Sequence, residues 1–82
     1  MNDMQFADRW GYTEVHYSTE WNCWLVTAYN GNGSQVGDSD TEYRKADAID
    51  TAQGYLDSGR CDAIHVYTKA GTHSRTIGSL AT

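Results

Sequence analysis

The chain has 82 residues, of which 39% are hydrophobic and 12% aromatic, and its eleven acidic and six basic side chains leave a formal net charge of -5. A chain of this length supports one hydrophobic core, and its aromatic content excludes an intrinsically disordered chain. The negative charge disfavours binding to nucleic acid or anionic membranes through a basic patch, and no apolar run is long enough to cross a bilayer.

The N-terminal residues carry acidic side chains rather than the basic and apolar segments of a secretory signal. We therefore expect a cytoplasmic protein. Residues 1–11 are predicted to form an N-terminal tail in which Phe6 and Trp10 are able to dock, and residues 12–82 are predicted to form a single domain.

Three strands are predicted in the first half of the domain. Residues 12–17 alternate between apolar and polar side chains, which is the period of a half-buried strand. Cys23–Tyr29 is rich in aromatic and β-branched residues, and the glycine- and asparagine-containing residues 30–33 after it predict a hairpin turn. The returning strand, residues 34–38, is expected to be short or bulged because it has one apolar residue and an internal glycine.

A helix is predicted next. Residues 39–42 have the pattern of a capping box, which predicts that the helix begins there. The apolar stripe, at spacings of three and four, is formed by Ile49, Ala52, Tyr55 and Leu56. Ser58 and Gly59 predict the end of the helix. Gly54 in its interior lowers helix stability by about 1 kcal/mol relative to alanine, so we expect a neighbouring backbone to approach closely there.

Two further strands are predicted after the helix, at residues 63–68 and 75–80. The predicted fold class is therefore α+β, an antiparallel sheet of four to five strands with one helix packed on one face, in the order β-β-β-α-β-β. The strand residues expected to face the helix are Trp24, Val26, Ile64, Val66 and Ile77.

One helix hides one face of a sheet, so the other face is predicted to remain at least partly exposed. The residues expected there are Leu25, Tyr29, His65 and Tyr67. Aromatic side chains are enriched at the energetic centres of interfaces, which favours a partner-binding surface. The alternatives are that the sheet curls or dimerises through this face, or that the N-terminal tail lies across it.

A second candidate surface is acidic and is concentrated before the predicted helix and along its first half. Its members are Asp38, Asp40, Glu42, Asp47 and Asp50. Acidic residues in a first helical turn stabilise the helix dipole, and this interpretation requires no partner. The functional interpretation is that the carboxylates mimic the spacing of phosphates or meet a cleft lined by Lys and Arg.

No cofactor or metal ion is predicted, and the sequence does not favour an enzyme. The three histidines, His16, His65 and His73, lack the close spacing of zinc ligands. Cys23 and Cys61 are far apart in sequence and are expected to pack as small hydrophobic thiols, although a disulfide between them stays open. The serines lack a nucleophile motif, and the glycine turn lacks the form of a phosphate-binding loop.

Three segments together resemble a known arrangement: Trp24-Leu25-Val26, the helix opening Lys45-Ala46-Asp47-Ala48-Ile49, and Ile64-His65-Val66-Tyr67. Over roughly residues 12–80 the chain resembles small bacterial domains of unknown function and short phage-encoded anti-CRISPR proteins. The resemblance lies in topology and apolar pattern, so no functional residue is transferred from it. It implies a protein that inhibits CRISPR effectors by binding, often with an acidic surface placed where nucleic acid would sit.

The sequence thus predicts a non-enzymatic inhibitor, similar to anti-CRISPR proteins, in the cytoplasm of a bacterial host. The expected partner is a protein with a basic, nucleic-acid-binding surface, which the acidic edge and the aromatic sheet face would block. Direct binding of nucleic acid or membrane is not expected. The alternative is a small structural domain that self-associates, as a homodimer, through the open sheet face.

Overall fold

The computed structural model describes residues 10–78, which form one helix and a five-stranded sheet. In chain order the elements are β1 (Tyr12–Ser18), β2 (Cys23–Tyr29), β3 (Gln35–Glu42), α1 (Lys45–Asp57), β4 (Ala63–Tyr67) and β5 (His73–Gly78). The predicted α+β class and the order β-β-β-α-β-β are confirmed.

The strands lie in the order β3-β2-β1-β4-β5. Three neighbouring pairs are antiparallel, whereas β1 and β4 are parallel, so the sheet is mixed rather than wholly antiparallel. The reason is the connection from β3 to β4 through α1. Because β3 runs in the same direction as β1, and α1 then reverses the chain once, β4 enters the sheet in the direction of β1.

The turn between β2 and β3 is held by the side chain of Asn30. Its Oδ1 accepts the backbone N–H of Asn32 at 2.9 Å and that of Ser34 at 3.1 Å. Gly33 has a φ of 85°, in the left-handed region that glycine adopts readily. The hairpin predicted from residues 30–33 is confirmed.

The predicted helix start at residues 39–42 is wrong. These residues belong to β3, where Asp40 pairs with Val26 and Glu42 with Trp24 of β2. The helix begins at Lys45, and its N-cap residue, Arg44, makes no side-chain capping hydrogen bond. Pairing with a buried neighbouring strand has therefore outweighed the local capping pattern, and β3 is longer than expected.

The end of the helix agrees with the sequence-based prediction. Gly59 has a φ of 82°, and its N–H donates to the Leu56 carbonyl at 3.1 Å. The N–H of Arg60 donates to the Tyr55 carbonyl at 3.0 Å. These two bonds satisfy carbonyl groups that the last helical turn leaves open.

The core lies between α1 and one face of the sheet. Its buried members are Val15, Trp24, Val26, Ala48, Ala52, Ile64 and Val66, and partly buried side chains packed against them are Tyr17, Ile49, Tyr55, Leu56 and Ile77. The predicted helical stripe and the predicted facing strand residues are all among them. Cys23 and Cys61 are both buried as well.

The two residues before β1 are bonded to the domain. The N–H of Trp10 donates to the Arg60 carbonyl at 2.8 Å, and that of Gly11 donates to the Tyr29 carbonyl at 2.7 Å. The Trp10 ring makes an edge contact with Tyr55 of α1, at 4.7 Å between ring centroids. Trp10 thus docks on the helix side of the sheet. Phe6 lies outside the described residues.

The expected close approach at Gly54 is wrong, because a Cβ built there meets nothing within 4 Å. The close approach occurs at Gly78, where a Cβ would lie 2.5 Å from the Asp62 carbonyl oxygen and where φ is 113°. Glycine is therefore required at Gly78, whereas a larger residue is accommodated at Gly54.

We expect Gly54→Ala to raise the free energy of unfolding by about 1 kcal/mol, because alanine is the better helix former and the space is open. Gly78→Ala should lower it by more than about 1 kcal/mol, since the new Cβ is strained and blocked by backbone. Urea denaturation followed by circular dichroism measures both. A neutral or stabilising Gly78→Ala would contradict the packing described for β5.

Two buried threonines differ in how their hydroxyl groups are satisfied. Thr13 is fully buried at 0% exposure, and no hydrogen-bond partner from residues 10–78 reaches its Oγ1. Thr27 is 3% exposed, and its Oγ1 lies 3.0 Å from His16 Nε2 and 2.6 Å from Ser39 Oγ. A buried hydroxyl without a partner loses its hydration and gains nothing in exchange.

Thr13→Val should therefore stabilise the protein by about 1 kcal/mol, which corresponds to a rise in Tm of about 4–8 °C for a domain of this size. The matched control is Thr27→Val, which leaves two partners unsatisfied and should lower the free energy of unfolding by about 1–2 kcal/mol. Thermal unfolding of both variants measures the contrast. Equal effects of the two substitutions would contradict this account of the two hydroxyls.

Candidate functional site

The sheet face turned away from α1 is the candidate site, and we call it the open face. Successive side chains of a strand point to opposite faces, so the core residues fix which positions belong to it. Its main members are Tyr12, Glu14 and His16 in β1, Leu25, Thr27 and Tyr29 in β2, His65 and Tyr67 in β4, and His73 and Thr76 in β5. Among residues 10–78, no second helix covers this face.

Five rings on the open face are in consecutive contact, and we call them the aromatic row. Tyr29 stacks on Tyr12 with 5.1 Å between centroids and 20° between planes, and Tyr12 makes an edge contact with His65 at 5.0 Å. His65 meets His73 at 5.8 Å, and His73 meets Tyr67 at 5.6 Å. The row crosses four strands: the register places Tyr12 opposite Tyr29 and Tyr67 opposite His73, and the other two ring contacts are diagonal.

One hydroxyl group fixes both histidines of the aromatic row. Thr76 Oγ1 lies 2.9 Å from His65 Nδ1 and 2.9 Å from His73 Nε2. A hydroxyl donates a single proton, so at most one of these nitrogens accepts from it and the other donates to it. The imidazole rings are therefore oriented by a side chain of the same sheet.

A second, polar row crosses the opposite end of the open face. His16 Nε2 lies 3.0 Å from Thr27 Oγ1, and Thr27 Oγ1 lies 2.6 Å from Ser39 Oγ. These three residues belong to β1, β2 and β3. Their hydrogen-bonding capacity is largely used within the sheet, which leaves the aromatic row as the more available surface for a partner.

Glu14 lies between the two rows. In β1 it stands between Tyr12 and His16, and its register partners are Thr27 of β2 and His65 of β4. It is half-buried, and within residues 10–78 no hydrogen bond or ion pair engages its carboxylate. This carboxylate is the negative charge at the centre of the open face.

The charge of Glu14 reaches the tyrosines on either side. Burial, followed by the charge of Glu14, raises the pKa of the Tyr29 hydroxyl. The same two causes, in the same order, raise the pKa of Tyr67. The carboxylate therefore lies within electrostatic range of a hydroxyl group in β2 and of another in β4.

The Lys and Arg side chains of residues 10–78 lie elsewhere. Three of them are placed over rings on the helix side of the sheet: Lys45 over Trp24 at 5.2 Å, Arg60 over Trp10 at 5.6 Å, and Lys69 over Tyr17 at 4.6 Å. Arg75 is the register partner of Val66 in the β4–β5 pair. The side chain of Val66 faces the helix, so Arg75 also lies on the helix side of the sheet. Arg44 lies at the helix N-terminus and pairs with Asp47. The open face therefore carries no Lys or Arg from residues 10–78.

The four residues predicted for this face all lie on it and are half-buried. The structure brings Tyr29, His65 and Tyr67 together in the aromatic row, whereas Leu25 lies beside His16, away from it. Sequence reasoning missed Tyr12 as the ring that joins Tyr29 to His65. The alternation of residues 12–17 contained this signal, but its use required knowing that β1 lies between β2 and β4.

The predicted acidic residues are not on the open face. Asp40 and Glu42 face the helix, where the Tyr55 hydroxyl donates to Asp40 Oδ2 and Thr51 Oγ1 donates to Glu42 Oε2 at 3.0 Å. The hydrogen bond from Tyr55 to Asp40, followed by burial, raises the pKa of Tyr55. These two carboxylates therefore tie the edge strand β3 to α1.

The other three acidic residues differ in exposure. Asp47 lies in the first turn of α1, and its Oδ2 is 3.5 Å from Arg44 Nε. Asp38 and Asp50 are exposed. Local contacts within the chain thus engage three of the five predicted carboxylates, while the remaining two face solvent.

Two exposed rings mark a separate feature at the end of the β2–β3 pair. Trp21 is 68% exposed and Tyr43 is 90% exposed. Together with Cys23, Thr41 and Glu42 they line a groove of about 220 Å³. The groove lies at the Cys23 end of β2, whereas the aromatic row crosses the sheet at the Tyr29 end of that strand, so the two features are separate.

The described part of the chain holds neither a cluster of metal ligands nor a membrane-spanning helix. No three His, Cys, Asp or Glu side chains among residues 10–78 are grouped as a metal ion requires. The helix in these residues has neither the length nor the hydrophobicity of a membrane-spanning helix.

The chain matches no protein-family model, and comparisons with curated proteins and with solved structures give no match. The open face itself is therefore the basis for a functional proposal.

The electrostatic link between Glu14 and its neighbouring tyrosines can be measured. In Glu14→Gln the pKa values of Tyr29 and Tyr67 should fall towards the ordinary value, because one of the causes that raise them is removed. Tyr55 is the internal control, since its raised pKa depends on Asp40 and should change in Asp40→Asn instead. NMR titration of the tyrosine ring carbons measures all three. Unchanged titration of Tyr29 and Tyr67 would place Glu14 away from them.

Proposed function

We propose that this protein is a non-enzymatic binding protein that docks a protein partner on its open face. The observation that carries the proposal is the aromatic row, which lies beside the Glu14 carboxylate on a face that no helix of residues 10–78 covers. Within the same residues no hydrogen bond or ion pair engages that carboxylate. Tyrosine rings bury a large area on binding while few rotatable bonds are fixed, so they favour affinity. Alternate side chains of one sheet supply a flat, rigid surface of this kind.

The partner is basic. The chain has a net charge of -5, and the open face presents Glu14 without a neighbouring Lys or Arg from the described residues. A surface of this charge repels the phosphates of nucleic acid and attracts a protein surface built to contact them. The protein therefore acts as an inhibitor in this proposal. When its open face binds the partner, it covers the basic surface with which the partner binds nucleic acid.

The acidic residues act at longer range in this proposal. Asp38 and Asp50 are exposed, whereas Asp40 and Glu42 are hydrogen-bonded to the helix on the other side of the sheet. One flat partner surface cannot contact both sides of a sheet. The exposed carboxylates consequently steer a basic partner and raise its association rate, while contact is made on the open face.

Self-association through the same face is the competing function. Two copies related by a two-fold axis would present identical surfaces to each other. An axis through the middle of the open face would bring the two Glu14 carboxylates together without a Lys or Arg from residues 10–78 to neutralise them. Like charges that meet in an interface are destabilising, which favours a partner of a different kind.

The test compares matched variants in partner capture from a host lysate and in sedimentation of the purified protein. Tyr67→Glu should weaken binding of the captured protein by at least about tenfold, because it places a charge in the aromatic row. Tyr43→Glu adds the same charge to a residue that is 90% exposed and away from the row, and should leave binding unchanged. The captured protein should also lose affinity for nucleic acid when the wild-type protein is added.

Two results would contradict the proposal. If Tyr67→Glu and Tyr43→Glu bind the captured protein equally well, the open face is not the contact surface. If the purified protein sediments as a dimer that Tyr67→Glu converts to a monomer, the face serves self-association. Circular dichroism of each variant verifies that the fold is retained.

A further inference from the structure

We infer that the open face recognises an arginine side chain, whose guanidinium group pairs with Glu14 and stacks on a tyrosine of the aromatic row. This inference rests on the proposed function and names the residue of the partner that anchors it. Arginine is the cation that combines a planar face for stacking with a fork of donors for a carboxylate.

The polar neighbours of Glu14 already have hydrogen-bond partners. Thr27 Oγ1 is engaged by His16 and Ser39, and His65 directs Nδ1 to Thr76. Within residues 10–78 no donor of the chain is bonded to the Glu14 carboxylate. A carboxylate has about four lone-pair positions, so Glu14 is able to accept two parallel hydrogen bonds from one guanidinium group.

Aromatic rings lie on both sides of the Glu14 carboxylate. Tyr12 precedes Glu14 by two residues on the same face of β1, and it stacks on Tyr29. Tyr67 lies on the other side, in β4, and contacts His73. A cation held at Glu14 is therefore flanked by ring systems from β1, β2 and β4. The negative faces of these rings attract a cation, and half-burial strengthens that attraction.

Contacts between a cation and an aromatic ring also occur within the fold of this protein. Lys45, Arg60 and Lys69 each lie over an aromatic ring, at 4.6 to 5.6 Å from its centroid. All of these pairs are on the helix side. On the open face the rings and a carboxylate are present without a Lys or Arg from residues 10–78, and an arginine of the partner would complete the same contact there.

Other occupants fit less well. A stacked nucleobase would bring phosphates to a chain with a net charge of -5 and to a face without Lys or Arg from the described residues. A lysine ammonium group is compact and strongly hydrated, and it neither stacks nor forms a bidentate pair. Arginine is also enriched, with tyrosine, among the residues that dominate binding energy at interfaces.

The experiment titrates the isotope-labelled full chain with a blocked tripeptide, acetyl-Gly-Arg-Gly-amide, and follows backbone and tyrosine NMR signals. Shifts should be confined to β1, β2 and β4 on the open face. The matched probe replaces arginine with citrulline, which keeps the shape and loses the charge, and it should bind about tenfold more weakly. A lysine tripeptide should also bind more weakly than the arginine tripeptide.

Glu14→Gln should reduce the affinity for the arginine peptide by about tenfold. Glu20→Gln, in the exposed turn between β1 and β2, removes the same charge elsewhere and should leave the affinity unchanged. Glu14→Asp keeps the charge and serves as a second variant, which should retain measurable binding. Equal binding of arginine and citrulline peptides, or equal binding by Glu14→Gln and Glu20→Gln, would overturn the inference.

Failure of this inference is distinguishable from failure of the proposed function. If Tyr67→Glu abolishes capture of the partner while Glu14→Gln leaves it unchanged, the open face binds a protein but not through an arginine at Glu14. If neither substitution affects capture, the binding function of the open face itself is wrong.

Discussion

In the part of the chain that the structure describes, one helix packs on one face of a five-stranded sheet, and most other features of this protein depend on that arrangement. The residues of α1 and of the covered face form the core, which centres on Val15, Ile64 and Val66. The open face then holds its side chains in place by contacts among themselves. Its rings contact one another across the strands, and its hydroxyl groups bond to the histidines. Packing within one layer thus produces an ordered surface that is still available to a partner.

The charges are distributed unequally between the two sides. The charged groups of Lys45, Arg60 and Lys69 lie over the rings of Trp24, Trp10 and Tyr17 on the helix side. The open face keeps one carboxylate, Glu14, and no Lys or Arg from residues 10–78. This distribution accounts for both the stability of the covered side and the chemistry expected of a partner. Aromatic rings contact cations of the chain itself on the helix side, and on the open face we propose that they contact a cation of a partner.

The sequence was sufficient for the element order, the core and the exposure of Tyr29, His65 and Tyr67, because these follow from period-two alternation and from one amphipathic helix. It was insufficient where a local pattern competes with long-range pairing. Residues 39–42 look like a helix start, yet their pairing with β2 makes them part of β3. The role of Tyr12 and Glu14 depends on the parallel pairing of β1 with β4, which no local spacing encodes. The placement of Asp40 and Glu42 against α1 likewise arises from tertiary contacts.

The rings of the open face should be accessible to solvent, whereas those of the core should not. A soluble gadolinium chelate, added to the full-length protein, measures this directly through enhanced relaxation of nearby ring protons. The account predicts strong enhancement for Tyr29 and Tyr67 and weak enhancement for Trp24, which is 8% exposed in the core. Equal protection of Tyr29, Tyr67 and Trp24 would mean that the open face is covered, and it would contradict the account.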